Sequence, residues 1–362
     1  MHAQHSKLHG AIIGFGFIAA LGHAPAYEER EDVVIAAVCD VVPDRVDKAR
    51  RRFPQARGYT DFRQLLAEER RLDFVDIATP SAFHAEMVSA ALDADLHVLV
   101  EKPLATALGD ASAVLRRAQD KKRVVFPCHN YRHAPVAKAI REIIDAGRIG
   151  RIGSITLSTF RPTHALGVTE WHPDWRRFSK YGGGGVAMDH GSHSLYLAFD
   201  WLGAYPTAIT AKMVNLLPDR FDTEDNFTAT LTFPAGLANL YLSWTAGVRK
   251  VIYTLQGDKG ALTVDDDEMQ LAVMRRQPDP AGGHSSVEWA VEKRSVTSDW
   301  MDSSHSAWFG SLFDEFVEAL GNGDVLNRNL KEAWLCVQAI TQAYESARDG
   351  CHEMPLLDEA RV

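Results

Sequence analysis

The chain has 362 residues, more than a single hydrophobic core usually supports, so two domains are expected. Its 39 basic and 48 acidic side chains give a net charge of −9, which argues against a surface that follows nucleic-acid phosphates. Hydrophobic residues make up 46% of the chain, but no apolar run approaches the roughly 18 residues that a membrane-spanning helix needs.

The N-terminus and the cysteines indicate a cytoplasmic protein. Residues 1–7 are short and polar, and a strand-like run follows at once, which leaves no room for a signal peptide. Cys39, Cys128, Cys336 and Cys351 lie far apart and form no CxxC pair. They are therefore expected to be reduced thiols, and neither a disulfide framework nor a zinc site.

The first third of the sequence alternates short apolar runs with segments of helical periodicity. Continuous runs without charges are typical of parallel strands buried on both faces, and the intervening helices cover those faces. The pattern predicts an α/β domain over residues 1–129 with a doubly wound parallel sheet. The predicted strands cover residues 8–13, 33–39, 74–78, 97–100 and 124–128. The first predicted helix follows the first strand and ends at about residue 30, and the others cover residues 43–53, 62–67, 83–94 and 106–121.

Longer runs of alternating hydrophobicity begin near residue 130. They predict an α+β domain over residues 130–362 with a large, open, mainly antiparallel sheet, and the last helices are expected to pack back on the first domain. The acidic residues 265–268 are interpreted as a solvated turn. The predicted strands cover residues 152–160, 207–215, 227–233, 237–243 and 251–256, and the helices 135–146, 306–320 and 330–347.

A glycine-rich turn joins the first predicted strand to the first helix. Its sequence, Gly14-Phe15-Gly16-Phe17-Ile18-Ala19, fits the GxGxxA fingerprint of dinucleotide binding. Gly14 permits the tight turn, Gly16 lets the backbone approach a pyrophosphate, and Ala19 lets the helix pack closely on the strand. The helix N-terminus offers unpaired N–H groups to the phosphates. The turn predicts a Rossmann dinucleotide-binding domain, and the alternative is a structural glycine turn in another α/β fold.

The residues after the second strand bear on the choice of cofactor. Asp40 ends that strand, where a carboxylate accepts hydrogen bonds from the ribose hydroxyls and repels a 2′-phosphate, so NAD is favoured. Arg45 is close enough in sequence to accommodate a 2′-phosphate, which keeps NADP as the alternative. The cofactor-binding residues predicted from these two segments are Gly14, Phe15, Gly16, Phe17, Ile18, Asp40 and Arg45.

Several further segments occur in the order and spacing of a known family. They are Ile77-Ala78-Thr79-Pro80 with His84, Glu101-Lys102-Pro103, Asn130-Tyr131-Arg132, the glycines 182–185, and Asp189-His190-Gly191-Ser192-His193. With them the chain resembles the glucose–fructose oxidoreductase, inositol dehydrogenase and MocA (Gfo/Idh/MocA) family from about residue 8 to 204. The resemblance implies a nucleotide-binding domain, a second domain with an open sheet, redox chemistry on sugars, polyols or their derivatives, and sheet-to-sheet packing into homodimers or homotetramers.

Two of these segments directly follow predicted parallel strands. Thr79-Pro80 and Glu101-Lys102-Pro103 lie at the carboxyl edge of the sheet, where open α/β sheets bind ligands. The resemblance places the second segment beside the nicotinamide, with a proline that is often cis, which an X–Pro bond accepts at about 0.5–1 kcal/mol. Without this context Lys102 would be interpreted as a surface lysine. The cofactor-binding residues predicted here are Thr79, Pro80, His84, Glu101, Lys102, Pro103 and Asn130.

Asp189 and His193 are candidate catalytic residues together with Lys102. They are four residues apart and share one face of a helix, and the glycines before them let a loop approach a ligand closely. The resemblance places both beside the substrate; the alternative for His193 is a structural histidine. A metal site shared with His190 is not expected, because adjacent helical residues point about 100° apart.

The predicted mechanism assigns the alcohol proton to a side chain. His193 is expected to be the general base in oxidation and the general acid in reduction, since an imidazole with a pKa of about 6.5 suits reversible proton transfer. Lys102 would donate a hydrogen bond to the same substrate oxygen, and Asp189 would orient one of the two. The opposite assignment stays open, with Lys102 as the base because the oxidised nicotinamide favours its neutral form.

Two positions depart from the family pattern and bear on which hydroxyls are recognised. His190 stands where an aliphatic residue is usual, and Tyr196 stands where many relatives have an aspartate. Residues 170–177 precede the glycines and are expected to border the pocket, with tryptophans that stack on a sugar and an arginine that pairs with an anion. Core tryptophans and surface arginines are the alternative. The predicted substrate residues are Tyr131, Arg161, Trp171, Trp175, Arg176, His190 and Tyr196, with His164 similarly placed.

The leading functional prediction is an NAD(P)-dependent oxidoreductase. It would transfer a hydride between nicotinamide C4 and a secondary alcohol or ketone of a sugar, inositol or related polyol. One alternative is an NAD-dependent glycosidase of the same fold. The other is a non-catalytic NAD-sensing regulator, against which the joint presence of Lys102, Asp189 and His193 argues. No nucleic-acid, membrane or metal partner is expected.

Overall fold

The computed structural model describes residues 7–277, 286–297 and 305–357, so most of the polar N-terminal segment lies outside the described residues. None of the helices in these ranges combines the length and the hydrophobicity that crossing a bilayer requires. All four cysteines are unpaired.

A six-stranded sheet with helices on both faces forms the first domain. Its strands are β1 (Leu8–Ile13), β2 (Val33–Cys39), β3 (Arg57–Tyr59), β4 (Phe74–Ile77), β5 (His97–Val100) and β6 (Val125–Pro127). Its helices are α1 (Ala24–Glu28), which continues a π-helical turn over Ala19–His23, α2 (Pro43–Arg52), α3 (Phe62–Glu68), α4 (His84–Asp93) and α5 (Leu108–Lys121).

The strand order β3-β2-β1-β4-β5-β6 confirms the predicted doubly wound sheet, and all its neighbouring strands are parallel. The order reverses between β1 and β4, which opens a crevice outside the carboxyl ends of these strands. The short strand β3 was not predicted. Arg57 and Gly58 are exposed at the sheet edge, so this strand has no hydrophobic run to mark it.

A nine-stranded sheet forms the second domain. Its strands are β7 (Ile152–Phe160), β8 (Ala208–Val214), β9 (Asn226–Phe233), β10 (Gly236–Ser243), β11 (Lys250–Gly257), β12 (Gly260–Asp265), β13 (Glu268–Gln277), β14 (Ser286–Ser295) and β15 (Met354–Pro355). The helices that follow the first domain are α6 (Pro135–Asp145), α7 (Ser179–Gly182), α8 (Val186–Leu202), α9 (Ser306–Asn322) and α10 (Arg328–Arg348).

The sheet order is β14-β13-β12-β11-β7-β10-β9-β8-β15, and only the described pair β7–β10 is parallel, so the predicted mainly antiparallel sheet is confirmed. The predicted alternating runs form the strands β7 to β11. Their hydrophobicity alternates because one face of these strands packs against α8 and α10 while the other face stays open. The strands β12 to β14 were not predicted, since charged residues interrupt the outer two. The acidic residues 265–268 form the turn between β12 and β13, where Lys250 pairs with Asp265 at 2.5 Å.

The helix α9 returns from the second domain to the first. Its Phe309, Phe313 and Phe316 are buried in one cluster with Phe74 of β4. The ring centroids of Phe313 and Phe316 lie 5.8 and 5.5 Å from that of Phe74. Aromatic side chains bury large apolar areas, so α9 contributes substantially to the core under the nucleotide-binding sheet.

Candidate active site

The glycine turn after β1 leaves room for a phosphate group. Gly14 has a φ of +88°, and a Cβ there would lie 2.8 Å from the carbonyl oxygen of Ala78, so glycine is required. A Cβ on Gly16 would meet no protein atom within 4 Å, so the space above it is open to a ligand. Of the other residues of the turn, Phe15 and Ala19 are buried, Phe17 is exposed and Ile18 is half-buried. The turn has the shape that the dinucleotide fingerprint requires.

Asp40 closes this turn at the end of β2. Its carboxylate accepts two backbone N–H groups, including that of Phe15 at 2.8 Å. Arg45 is buried and directs Nε to the carbonyl oxygen of Phe15 at 2.6 Å. Glu170 of the second domain reaches both Arg45, at 3.5 Å from Nη1, and Lys48. A carboxylate from the other domain therefore pairs with both cations next to the expected ribose site.

His84 ties together two loops at the carboxyl edge of the sheet. Its Nδ1 lies 2.7 Å from the carbonyl oxygen of Pro103, and its Nε2 lies 2.8 Å from that of Thr79. The side chain is fully buried, and burial lowers its pKa although the two carbonyl oxygens oppose this, so the neutral ring donates a hydrogen bond to one of the two oxygens and contacts the other. The Lys102–Pro103 peptide is cis, as the resemblance implied, while Thr79 and Pro80 are partly exposed. His84 therefore supports the cofactor edge from beneath.

A buried charge network lies below the same edge. Nδ1 of His23 is 2.9 Å from Asp76 Oδ2, and Nε2 is 3.1 Å from Glu101 Oε1. Burial alone would lower the pKa of His23, but the two carboxylates outweigh burial and raise it to about 9. The second oxygen of Glu101 accepts the N–H of Lys102 at 3.2 Å. Glu101 thus contacts His23 through one oxygen and fixes the backbone at Lys102 through the other.

We expect this network to make stability depend on pH. A histidine whose pKa rises from about 6.5 in the unfolded chain to about 9 in the fold stabilises the protein fully below about pH 6.5. That contribution, about 3 kcal/mol, is lost as the pH rises through about 9. Urea unfolding at about pH 6 and about pH 9.5 measures it, and His23→Gln should reduce the difference.

The matched control is His352→Asn, which removes an exposed histidine and should keep the wild-type pH dependence. An unchanged pH dependence in His23→Gln would contradict the role assigned to the network.

Lys102 extends from the first domain to α8 of the second. Its Nζ donates to the carbonyl oxygen of Asp189 at 2.9 Å and to Oδ1 at 3.1 Å. Arg176 Nε reaches the same Oδ1 at 3.2 Å. Burial by itself raises the pKa of Asp189, but Lys102 and Arg176 more than offset burial and hold it below its ordinary range. Asp189 is therefore ionised, and two of the three N–H donors of Lys102 are engaged.

His193 lies one helical turn beyond Asp189. Its ring stacks on Tyr131 with centroids 3.9 Å apart, and its Nδ1 lies 2.7 Å from Oη of Tyr196. Burial, with the nearby charge of Lys102, lowers the pKa of His193 well below its usual value, so the imidazole is neutral. Its Nε2 has no hydrogen-bond partner among the described residues. Tyr196, predicted to contact substrate, is fully buried and lies behind His193.

The N-terminus of α8 is held by a residue that sequence reasoning missed. Glu224 accepts the N–H groups of Gly185 and Ala187 at 3.0 and 2.9 Å and the hydroxyl of Tyr344 at 2.9 Å. Burial raises the pKa of this carboxyl group. Because 39 residues separate Gly185 from Glu224, no local spacing marks the contact. It fixes the direction of the helix that carries Asp189.

Two further predicted residues, Arg161 and His190, lie near Asp189. Arg161 is buried at the end of β7, and His190 is half-buried on α8. Burial lowers the pKa of His190 to about 3, an effect that Asp189 opposes and that Arg161 and Lys102 reinforce. Asp189, His190 and His193 form no cluster of metal-ligand atoms in the described ranges, and the cations on Asp189 would oppose a metal ion.

Of the remaining predicted residues, Arg176 contacts Asp189 and the others make contacts of their own. Trp175 is half-buried with the guanidinium of Arg176 4.2 Å from its ring centroid. Trp171 packs against Phe83 and Tyr181 at 6.3 and 5.1 Å, on the side of the cofactor edge. Nε2 of His164 lies 2.8 Å from Asp174, and Asn130 is buried in the turn after β6.

Comparisons with known proteins agree with this architecture. Residues 8–129 match the oxidoreductase family with an NAD-binding Rossmann fold (GFO_IDH_MocA), and residues 137–263 match the GFO/IDH/MocA C-terminal domain. A D-apiose dehydrogenase of Paraburkholderia graminis is 32% identical over 359 residues, which are 95% of this chain and 88% of that protein. The chain belongs to the Gfo/Idh/MocA oxidoreductase family. The resemblance and the dinucleotide fingerprint predicted this membership.

Other relatives of this family member differ in how much of their length is matched. A levoglucosan dehydrogenase of Pseudarthrobacter phenanthrenivorans is 28% identical over 73% of this chain, which spans 64% of that protein. A scyllo-inositol 2-dehydrogenase (NADP(+)) of Bacillus subtilis is 24% identical over 93% of each chain. A solved levoglucosan dehydrogenase with NADH and levoglucosan has a TM-score of 0.82 at 21% identity, over 98% of this chain and 100% of that chain. This last likeness confirms the predicted fold.

Proposed function

We propose that the protein is an NAD-dependent dehydrogenase that acts on a secondary alcohol, or the corresponding ketone, of a sugar, inositol or related polyol. The observation that carries this proposal is the pair of hydrogen bonds from Lys102 of the nucleotide-binding domain to Asp189, one turn before His193. They bring proton-handling groups to the sheet edge where the cofactor is expected. The relatives named above are dehydrogenases of sugars or polyols, which supports the same class here over a glycosidase or a regulator.

The residues at the sheet edge fit a dinucleotide. Gly14, Gly16 and Asp40 would hold the pyrophosphate and the adenosine ribose, and the Lys102–Pro103 loop would border the nicotinamide. When bound, NAD accepts or returns the hydride at nicotinamide C4. The chain itself handles the alcohol proton, a task for which general acid–base catalysis typically contributes about 10²–10⁴-fold.

A spectrophotometric screen tests the proposal. The purified protein is incubated with NAD⁺ or NADP⁺ and a panel of polyols, aldoses and sugar acids, and reduced cofactor should accumulate with at least one of them. Hydrolysis of an aryl glycoside without net reduction of cofactor would overturn the dehydrogenase in favour of the glycosidase. Cofactor binding without turnover over the whole panel would overturn it in favour of the regulator.

The preference for NAD over NADP follows from the charges around the expected ribose site. Asp40 places one carboxylate there, and Glu170 occupies Arg45 and Lys48, the cations that a 2′-phosphate would need. A 2′-phosphate would have to displace Glu170 and would still face Asp40. One relative is named for NADP(+), so family membership does not fix the preference.

Glu170→Gln should weaken the discrimination against NADP. With Lys48 and Nη1 of Arg45 freed from Glu170, the Kd for NADPH should fall about 10-fold, equivalent to about 1.4 kcal/mol, while the Kd for NADH changes little. Fluorescence titration of the reduced cofactors measures both without any substrate. Asp145→Asn, which removes an exposed carboxylate paired with Arg141, is the matched control. An unchanged ratio of the two Kd values would refute the role of Glu170.

The open face of the nine-stranded sheet supports a homodimer or homotetramer. The strand register places Leu237, Tyr241, Trp289 and Val291 on this face, and each is at least 43% exposed. Exposed apolar side chains that share a surface mark interaction sites. Light scattering in solution tests this proposal, and the mass of a monomer would exclude the homo-oligomer.

The unpaired cysteines support a location in the cytoplasm.

A further inference from the structure

The hydrogen bonds of Tyr196 bear on which nitrogen of His193 carries the proton. Tyr196 is fully buried, and its Oη accepts the backbone N–H of Tyr131 at 3.1 Å. Its own O–H then needs an acceptor, because a buried unpaired hydroxyl costs about 1–3 kcal/mol. In the described ranges, Nδ1 of His193, at 2.7 Å, is the acceptor placed within reach of this O–H.

These hydrogen bonds place the proton of neutral His193 on Nε2. If Nδ1 carried the proton instead, Nδ1–H and the N–H of Tyr131 would both point at Oη, and the O–H of Tyr196 would lack an acceptor. The stack on Tyr131 fixes the plane of the ring. Nε2–H is therefore presented as a donor. An aspartate at position 196 would instead accept from Nδ1–H and leave a lone pair on Nε2.

Lys102 is placed to accept a proton from the substrate, which this tautomer of His193 cannot do at Nε2. An imidazole that presents Nε2–H donates to a substrate oxygen but does not accept a proton at that atom. Nζ of Lys102 donates two hydrogen bonds to Asp189, so its remaining position holds a third N–H when charged and a lone pair when neutral. That position is open to a substrate hydroxyl beside α8.

We propose that Tyr196 is a positioning residue that holds His193 as a neutral Nε2–H donor, and that Lys102 exchanges the proton with the substrate. In oxidation Nζ first releases its third proton to solvent, a loss that the positive charge of the oxidised nicotinamide favours. The substrate O–H then breaks and its proton passes to the Nζ lone pair, while the C–H bond breaks and its electron pair leaves as the hydride to nicotinamide. In reduction Lys102 returns the proton. The inference rests on the dehydrogenase function proposed above, and it decides between the two assignments that the sequence left open.

Nitrogen-15 spectra of the full-length protein labelled at histidine test the tautomer directly. The signals of His193 are assigned by their absence in His193→Gln. The wild type should show a protonated Nε2 and an unprotonated Nδ1, and Tyr196→Asp should reverse this pattern and raise the pKa of His193. Tyr196→Phe keeps the ring without the O–H and should lose the fixed tautomer. A protonated Nδ1 in the wild type would overturn the proposal whether or not a substrate has been found.

The other groups that face His193 are the same in all these proteins. They are Lys102, Asp189, His190, His129 and Tyr131, so a change in the titration of His193 reports on position 196.

Kinetics on a substrate from the screen give a second readout. His193→Gln should keep at least about a tenth of kcat, because an amide N–H replaces the donor at Nε2. The kcat/KM profile of Tyr196→Asp should gain an ionisation from His193 that the wild type lacks. A loss in His193→Gln as large as that in Lys102→Met would overturn the proposal. If the screen yields no substrate, the dehydrogenase function fails while the tautomer measurement still stands.

Discussion

Replacement of Lys102 by methionine should lower kcat by about 10³-fold, the middle of the range for loss of a proton-transfer group. The physical reason is the position of Nζ, which is held by two hydrogen bonds to Asp189 with its third position free for the substrate. Methionine keeps the length of the side chain but offers neither a donor nor a lone pair of suitable basicity. Steady-state kinetics give kcat, and NADH fluorescence shows whether cofactor binding is retained.

Two companion variants separate proton transfer from charge. Lys102→Arg keeps a cation beside Asp189, but a guanidinium with a pKa above about 12 does not release its proton near neutral pH, so we expect a similar loss. Lys102→Ala should recover part of its activity when a small primary amine is added. If Lys102→Arg kept more than about a tenth of wild-type kcat, a purely electrostatic role would replace the proposed one.

Arg132→Met should lower the free energy of unfolding by about 3–5 kcal/mol, the usual cost of removing one partner of a buried ion pair. Arg132 follows the stacked Tyr131, pairs with the fully buried Glu332 of α10, and donates to Asn329 at 2.8 Å. Without Arg132, the carboxylate of Glu332 would lose its buried cationic partner and keep only Arg328, which lies at 2.7 Å and is 53% exposed, so its charge would be compensated incompletely. Urea unfolding at neutral pH measures the loss.

The double variant Arg132→Met/Glu332→Met provides the control. Replacing both members of a buried pair by apolar side chains often costs much less than removing one, so the double variant should be more stable than Arg132→Met. Equal instability of the two variants would show that packing, and not the incompletely compensated charge of Glu332, explains the effect.

Local patterns predicted the fold and the glycine turn after β1. The apolar runs of β1, β2, β4 and β5 are strands because both faces of the parallel sheet are buried. Gly14 was recognisable because a tight turn between a strand and a helix requires a positive φ, which glycine adopts most readily. Asp189 and His193 were predicted to share a face because both lie on one helix, where a spacing of four fixes that relation.

Contacts between distant segments explain what the sequence left open. Glu170 is 122 residues from Lys48, and Tyr131 is 65 residues from Tyr196, so no periodicity connects either pair. The resemblance drew attention to Tyr196 as a departure from the family pattern, but only the fold shows that it lies behind His193. The buried His23 likewise depends on a π-helical turn that hydrophobic spacing does not reveal.

The return of α9 to the first domain has a consequence for protein engineering. A recombinant fragment ending at residue 129 would leave Phe74 and Phe126 facing water, because Phe309, Phe313 and Phe316 normally cover them. We expect such a fragment to aggregate, although it contains the complete nucleotide-binding fingerprint. A chimera that exchanges cofactor modules between relatives would need to carry the Ser306–Asn322 helix along with the N-terminal sheet.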